Sequence, residues 1–351
     1  MSGRIPWSAA AATAGRLAGH YPLGGTYHER LLRNQAPEFV ARAGRLVMEE
    51  TGLTGPGVPK VAVVSRAEWA ERNIRFFSKI LEPTEERLAE RFQASGVVGK
   101  AAAVASQRLV AAEMGALLGF MARRVLGQYE LVLPTDEQNN GDTVYLVGEN
   151  VLNMERTHQF RPVEFRFWLA LHECTHRLQF VGIPWMKDYF LGLVQELVAT
   201  AQPEPGRVGR LVGEARAAAA EGRPLVGETG LLGLFANEDQ RALLDRVQAL
   251  MSFLEGHGHV VMDRIGGRLL VTQRRMSDTL KQRRKDPRTA AFYRLTGLEM
   301  KMRQYELGER FVLGVEKQAG WEALDQAWVS PDHLPTKDEI DAPDRWLSRV
   351  A

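Results

Sequence analysis

One cysteine, Cys174, occurs in the 351 residues of this chain. A lone thiol excludes an internal disulfide framework and fits a reducing, cytoplasmic setting. Charge of one sign is not in excess either. Lys and Arg number 45 against 43 Asp and Glu, a net charge of +2, so nothing draws the whole chain towards nucleic acid. Long apolar runs are missing. The best membrane candidate, residues 109–125, holds Glu113, Arg123 and Arg124 and is short for a span. The Gly115/Gly119 pair inside it reads as a close helix contact in a core. No signal peptide is read near the start, where the alanine-rich residues 8–18 carry Arg16 and lack large apolar side chains. Repeats and low-complexity tracts are absent. The remaining composition is 45% hydrophobic and 25% charged, ordinary for a globular protein long enough to bury a large core.

Against that background stands His172-Glu173-Cys174-Thr175-His176, an H-E-x-x-H pattern within an apolar segment. On a helix, residues four apart share a face. Two imidazoles there can grip one Zn²⁺, and the neighbouring glutamate can take a proton from a water on the metal. The surrounding residues 162–180 read as a buried helix. Pro162 suits its first turn, and Gly182 and Pro184 stop it. Cys174 points away from the face shared by the histidines and reads as packing.

A catalytic zinc usually has three protein ligands. Glu196, twenty residues after His176, has a separation that resembles the third ligand of thermolysin-like enzymes. Glu255 lies in a segment similar to the E-G-x-A element of aminopeptidase-N-like gluzincins, with Gly258 in place of the alanine. That segment also holds His257, His259 and Asp263 within an apolar helix. Buried polar groups are costly unless paired or metal-bound, which favours Glu255. His257 and His259 stay rivals with Glu196. Asp263 is a candidate acceptor for a ligand imidazole N–H. His257, His259, Tyr145 and Tyr305 are oxyanion-donor candidates by residue type alone.

Helical periodicity dominates the chain. Helices are expected over residues 9–18, 36–51, 66–81, 85–92, 101–126, 162–180, 186–200, 239–265 and 289–317. Strands are expected at 129–133 and 143–147, joined through an Asn139–Asp142 turn; such a pair could floor a cleft and present an edge to an extended peptide. Residues 202–230 read as a loop-rich insertion, and the run Lys281–Lys285 as a solvated face. From Pro331 an irregular tail is expected, with Trp346 docked. These signals describe an α+β chain, mainly α with a small sheet. It has an N-terminal helical region, 1–128, and a catalytic region, 129–351, in one compact unit.

The chain also resembles a family of zincin-like metallopeptidases or hydrolases found mainly in high-GC Gram-positive bacteria, one branch of which is associated with deazaflavin coenzyme biosynthesis. The matching stretches are Trp7–Ala11, Glu49–Leu53, His172–His176, Pro184–Trp185, Leu254–Gly258, Val261–Asp263, Gly297–Lys301, Gln304–Tyr305 and Trp346–Leu347. The resemblance implies a zincin-like fold with one zinc per chain. The expected chemistry is zinc-dependent hydrolysis of a peptide or amide, with His172, His176 and Glu255 on the metal and Glu173 as general base. The alternatives are a catalytically silent scaffold that binds zinc or a partner, and a small-molecule amidohydrolase of cofactor metabolism. No membrane or nucleic-acid partner is expected.

Overall fold

Small residues build the first helix contacts. In the computed structural model, which describes residues 4–93, 97–130, 141–200, 238–284 and 299–351, helix α1 (Trp7–Ala18) buries Ala10, Ala14 and Ala18. Opposite them, on α4 (Val97–Ala122), lie Gly115 and Gly119. A Cβ on Gly115 would stand 2.6 Å from the Ala10 carbonyl oxygen, and one on Gly119 would stand 2.8 Å from that of Ala14. The glycine pair therefore packs two helices of a core. No helix among the described residues is long and apolar enough to cross a membrane.

The chain divides into two units, residues 1–52 with 56–177, and residues 53–55 with 178–351. In the first, α1 and α4 pack with α3 (Arg66–Gln93), which carries Trp69, Ala70 and Ile74 into the same cluster. Helix α3 continues through Pro83 where the sequence suggested two helices. Likewise α2 (Tyr27–Thr51) runs through Pro37 and begins well before the expected Ala36. A proline inside a helix removes one hydrogen bond and crowds the preceding turn. Here a continuous buried stripe, Leu32, Ala36, Phe39, Ala43 and Val47, outweighs that cost.

The sheet has three strands in the order β1-β3-β2. Strand β3 (Thr143–Val147) is central, antiparallel to β2 (Gly127–Tyr129) and parallel to β1 (Lys60–Val64). Strand β1 was not expected; its partner is some eighty residues away, and it is too short to show a period of its own. The expected strand over 129–133 is observed only as β2; residues 131–140, with most of that strand and Asn139–Asn140, lie outside the described residues. Helix α5 (Gly148–Thr157) follows β3 directly, and α6 (Pro162–Val181) is the motif helix. The buried Arg166 of α6 forks onto Glu155 of α5 at 2.7 and 2.8 Å.

The second unit contains the last turn of α6, α7 (Met186–Thr200), α8 (Glu238–Leu269), α9 (Gln273–Arg284) and α10 (Glu299–Ala319). Helices α8 and α10 cross at Gly256 and Gly308, where a Cβ on Gly256 would lie 2.1 Å from the carbonyl carbon of Gly308. Lys281, from the basic run, pairs with Glu309 at 2.9 Å. The 202–230 insertion and the start of the expected helix from Thr289 lie outside the described residues. The C-terminal segment is more regular than expected. It forms 3₁₀ turns at Trp321–Trp328 and Pro331–His333, then α11 (Lys337–Ile340) and α12 (Pro343–Val350). Trp346 is fully buried, as anticipated, and donates to the His333 carbonyl at 2.8 Å.

Candidate metal centre and active site

Helix α6 is apolar on most sides because it is buried on most sides. Phe165, Phe167, Trp168, Leu171, Cys174 and Leu178 are all inaccessible or nearly so. The Cys174 thiol turns towards the carbonyl oxygen of Val40, 3.4 Å away, and burial pushes it up to about 12. It is a packing group, as the spacing suggested. His172 and His176 are half-buried, and their Nε2 atoms approach to 3.1 Å. Their ring planes are nearly perpendicular, at 82°.

Glu255 of α8 completes a group. Ligand-capable atoms of His172, His176 and Glu255 all lie within 4.8 Å of one another. Such a group could hold a metal ion. The donor set, two imidazoles and a carboxylate, is one that catalytic zinc takes. Two ligands each about 2.0–2.1 Å from a tetrahedral ion stand about 3.3 Å apart, close to the 3.1 Å between the Nε2 atoms. Glu196, His257, His259 and Asp263 do not join this group. Glu196 is exposed on α7. Asp263 accepts hydrogen bonds from Gln273 at 2.6 Å and Ser277 at 3.0 Å, which tie α8 to α9, and burial raises its carboxyl above the usual range.

His257 has other surroundings. Its ring stacks on Trp321 at 5.6 Å and meets Trp328 edge-on at 5.2 Å. Gln179, in the last turn of α6, places its amide nitrogen 3.0 Å from the Leu254 carbonyl oxygen and 3.0 Å from His257 Nδ1. A carbonyl can only accept, so the Leu254 contact fixes that atom as the amide NH₂. Its second hydrogen then meets Nδ1 as an acceptor. This makes His257 neutral, with its proton on Nε2. Within the second unit, one side chain thus bonds two successive turns of α8. His259 is buried on α8, two positions further.

Glu173, only 3% exposed, lies against the sheet. A Cβ on Gly127 of β2 would meet its Oε1 at 2.5 Å, Cδ at 2.7 Å and Cγ at 2.8 Å. The strand alternates, so Gln128 faces the other way and bonds Trp69 and Asn73 of α3. Tyr145 pairs with Gln128 and shares its side of the sheet, where its hydroxyl contacts Glu130 at 2.5 Å and Arg72 at 2.9 Å. Tyr145 therefore faces away from Glu173 and cannot serve it as an oxyanion donor. The side chain of Tyr305 lies outside the described part. Next to His176, Arg177 forks onto Asp142 at 2.6 and 2.5 Å and also reaches the Pro56 carbonyl, fastening α6 to the start of β3. On β2, burial and the Asp142 carboxylate push the Tyr129 phenol well above its usual range.

Sequence reasoning singled out His172, Glu173, His176 and Glu255, of which the structure groups His172, His176 and Glu255. It missed Gly127, Gln179 and the Arg177–Asp142 fork. Gln179 had a local signal, since it lies one turn beyond His176 in an apolar helix; the others depend on contacts between distant segments.

A mainly helical fold with a three-stranded sheet, and a His-His-Glu group on two of its helices, define a zincin-like class of protein. Residues 5–347 match the family described as zincin-like metallopeptidases, and the chain belongs to it. A solved structure from Chloroflexus aurantiacus, described provisionally as a hydrolase with a novel fold, is similar at 30% identity and a TM-score of 0.72. The likeness covers 98% of each chain. A comparison with curated proteins returns no match.

Proposed function

We propose that this chain is a zinc-dependent hydrolase of peptide or amide bonds, with His172, His176 and Glu255 as ligands and Glu173 as general base. The observation that carries the reading is the convergence of those three side chains within 4.8 Å, beside a buried glutamate on the same helix. Zinc in such a site lowers the pKa of a coordinated water and polarises a carbonyl. The protein's own groups do the rest. Glu173 takes a proton on a carboxylate oxygen and returns it to the leaving nitrogen. Its burial keeps bulk water from competing for that oxygen.

Strand β2 supplies a docking edge for an extended substrate. Val147 N–H bonds the Leu126 carbonyl and Glu130 N–H bonds that of Thr143. By antiparallel alternation, Gly127 and Tyr129 turn their own N–H and C=O groups away from β3. An extended peptide can pair there, beside Glu173.

The test is zinc content by elemental mass spectrometry, followed by a peptide-library digest. About one zinc per chain is expected in wild type and Glu196→Ala, and a large loss in Glu255→Ala. Glu173→Gln should keep the metal and lose hydrolysis. A wild type that takes up no zinc after reconstitution would overturn the proposal. Zinc retention without turnover on any peptide or amide would leave the scaffold reading in its place.

A further inference from the structure

We infer that Gly127 is a positioning residue for Glu173: the missing side chain on β2 is the space that the carboxylate occupies. This rests on the general-base reading above only for its effect on turnover; the packing claim stands without it. Gly127 is not among the glycines with positive φ, so its backbone does not require glycine. The requirement is space. The three heavy atoms nearest to a Cβ at this position are Oε1, Cδ and Cγ of Glu173, at 2.5, 2.7 and 2.8 Å. No atom of another residue is nearer, so the severest overlap of any side chain here falls on Glu173.

Glu173 has little freedom to give way. It is buried, and its helix is fastened to the start of β3 by the fork from Arg177 to Asp142. Bringing Oε1 from 2.5 Å to an ordinary contact of 3.4 Å moves it by about 0.9 Å. A misplacement near 1 Å at a reacting group costs about 100-fold in rate. The same strand residue turns its backbone N–H and C=O away from β3. Gly127 thus holds the base on one side and faces the substrate path on the other. A side chain would disturb the base even if substrate still docked.

The experiment is a cycle of four proteins, wild type, Gly127→Ala, Glu173→Ala and the double variant, read by thermal melting and by zinc content. In the wild-type background, Gly127→Ala should lower Tm by several degrees and leave zinc at the wild-type level. In the Glu173→Ala background the three nearest crowding atoms are gone, so the same step should cost clearly less. An equal cost in both backgrounds, including failure to fold in both, would overturn the inference. Where the wild type turns over a library peptide, Gly127→Ala should lower kcat about 100-fold with KM nearly unchanged. An unchanged kcat would refute the positioning role. A wild type without turnover would count against the hydrolase reading alone, because melting and zinc content still decide whether Glu173 fills the space at Gly127.

Discussion

Replacing Gly308 with alanine should damage both the second unit and its contribution to the metal group. A Cβ at this position would lie 1.8 Å from the carbonyl oxygen of Ser252 and 2.7 Å from its carbon. These are backbone atoms of α8, so no rotamer change relieves the overlap. Reaching an ordinary contact of 3.4 Å requires the helices to part locally by about 1.6 Å. Phe253 and Phe311, fully buried and in edge contact at 5.9 Å, would lose packing as they separated. Overpacking of this kind costs about 1–3 kcal/mol, and a backbone collision belongs at the upper end. At about 2–4 °C for each kcal/mol, Tm should fall by roughly 6–12 °C. Glu255 sits one residue from Gly256, so zinc affinity should weaken as well. Gly267→Ala is the control on the same helix. It is exposed, nothing lies within 4 Å of its Cβ position, and alanine should stabilise it by about 0.5–1 kcal/mol. Calorimetric or circular-dichroism melts, with zinc titrations, read both variants. If Gly308→Ala melts with Gly267→Ala, at or above wild type, the close crossing of α8 and α10 is wrong.

Two further outcomes follow from buried or paired groups. The Cys174 thiol, pushed up to about 12 by burial, should resist a thiol reagent at neutral pH in the native protein and react stoichiometrically after denaturation; rapid labelling of the native form would contradict its placement. The Glu339 carboxyl experiences burial that would raise it, but the Arg349 fork at 2.7 and 2.9 Å and the Thr336 N–H outweigh burial and hold it below the usual range. A carboxyl lowered in the folded state adds stability above its unfolded pKa, about 4.3, and loses it as pH falls through the folded value. The Tm difference between wild type and Arg349→Ala should therefore shrink from pH 7 towards pH 3, and a constant difference would show that the ion pair contributes nothing.

The sequence exposed what depends on local spacing and hid what depends on distant contacts. The motif helix was bounded almost to the residue because Pro162, Gly182 and an unbroken apolar run all act within one helix. Two other helices were cut short at Pro37 and Pro83, where proline's local cost is real and only tertiary burial overrides it. Strand β1 was missed because a five-residue parallel strand gains its hydrogen bonds from β3, far along the chain. Read alone, Lys60–Val64 shows neither a period nor a turn partner.

The candidate site divides along the same line. His172, Glu173 and His176 are chemistry written within one and a half turns of helix, and Glu255 was legible as a charge that an apolar helix would otherwise exclude. The rivals could not be separated by that argument, since His257, His259 and Asp263 share the helix and the same cost. The structure gives two of them other partners: Gln179 and two tryptophans around His257, Gln273 and Ser277 on Asp263. Gly127 carried no signal at all, because a glycine whose purpose is an absent atom is legible only from the group that fills the space. The placement of Glu173 therefore draws on two parts of the sequence, the glutamate in the motif and a glycine some forty-five positions earlier that leaves it room.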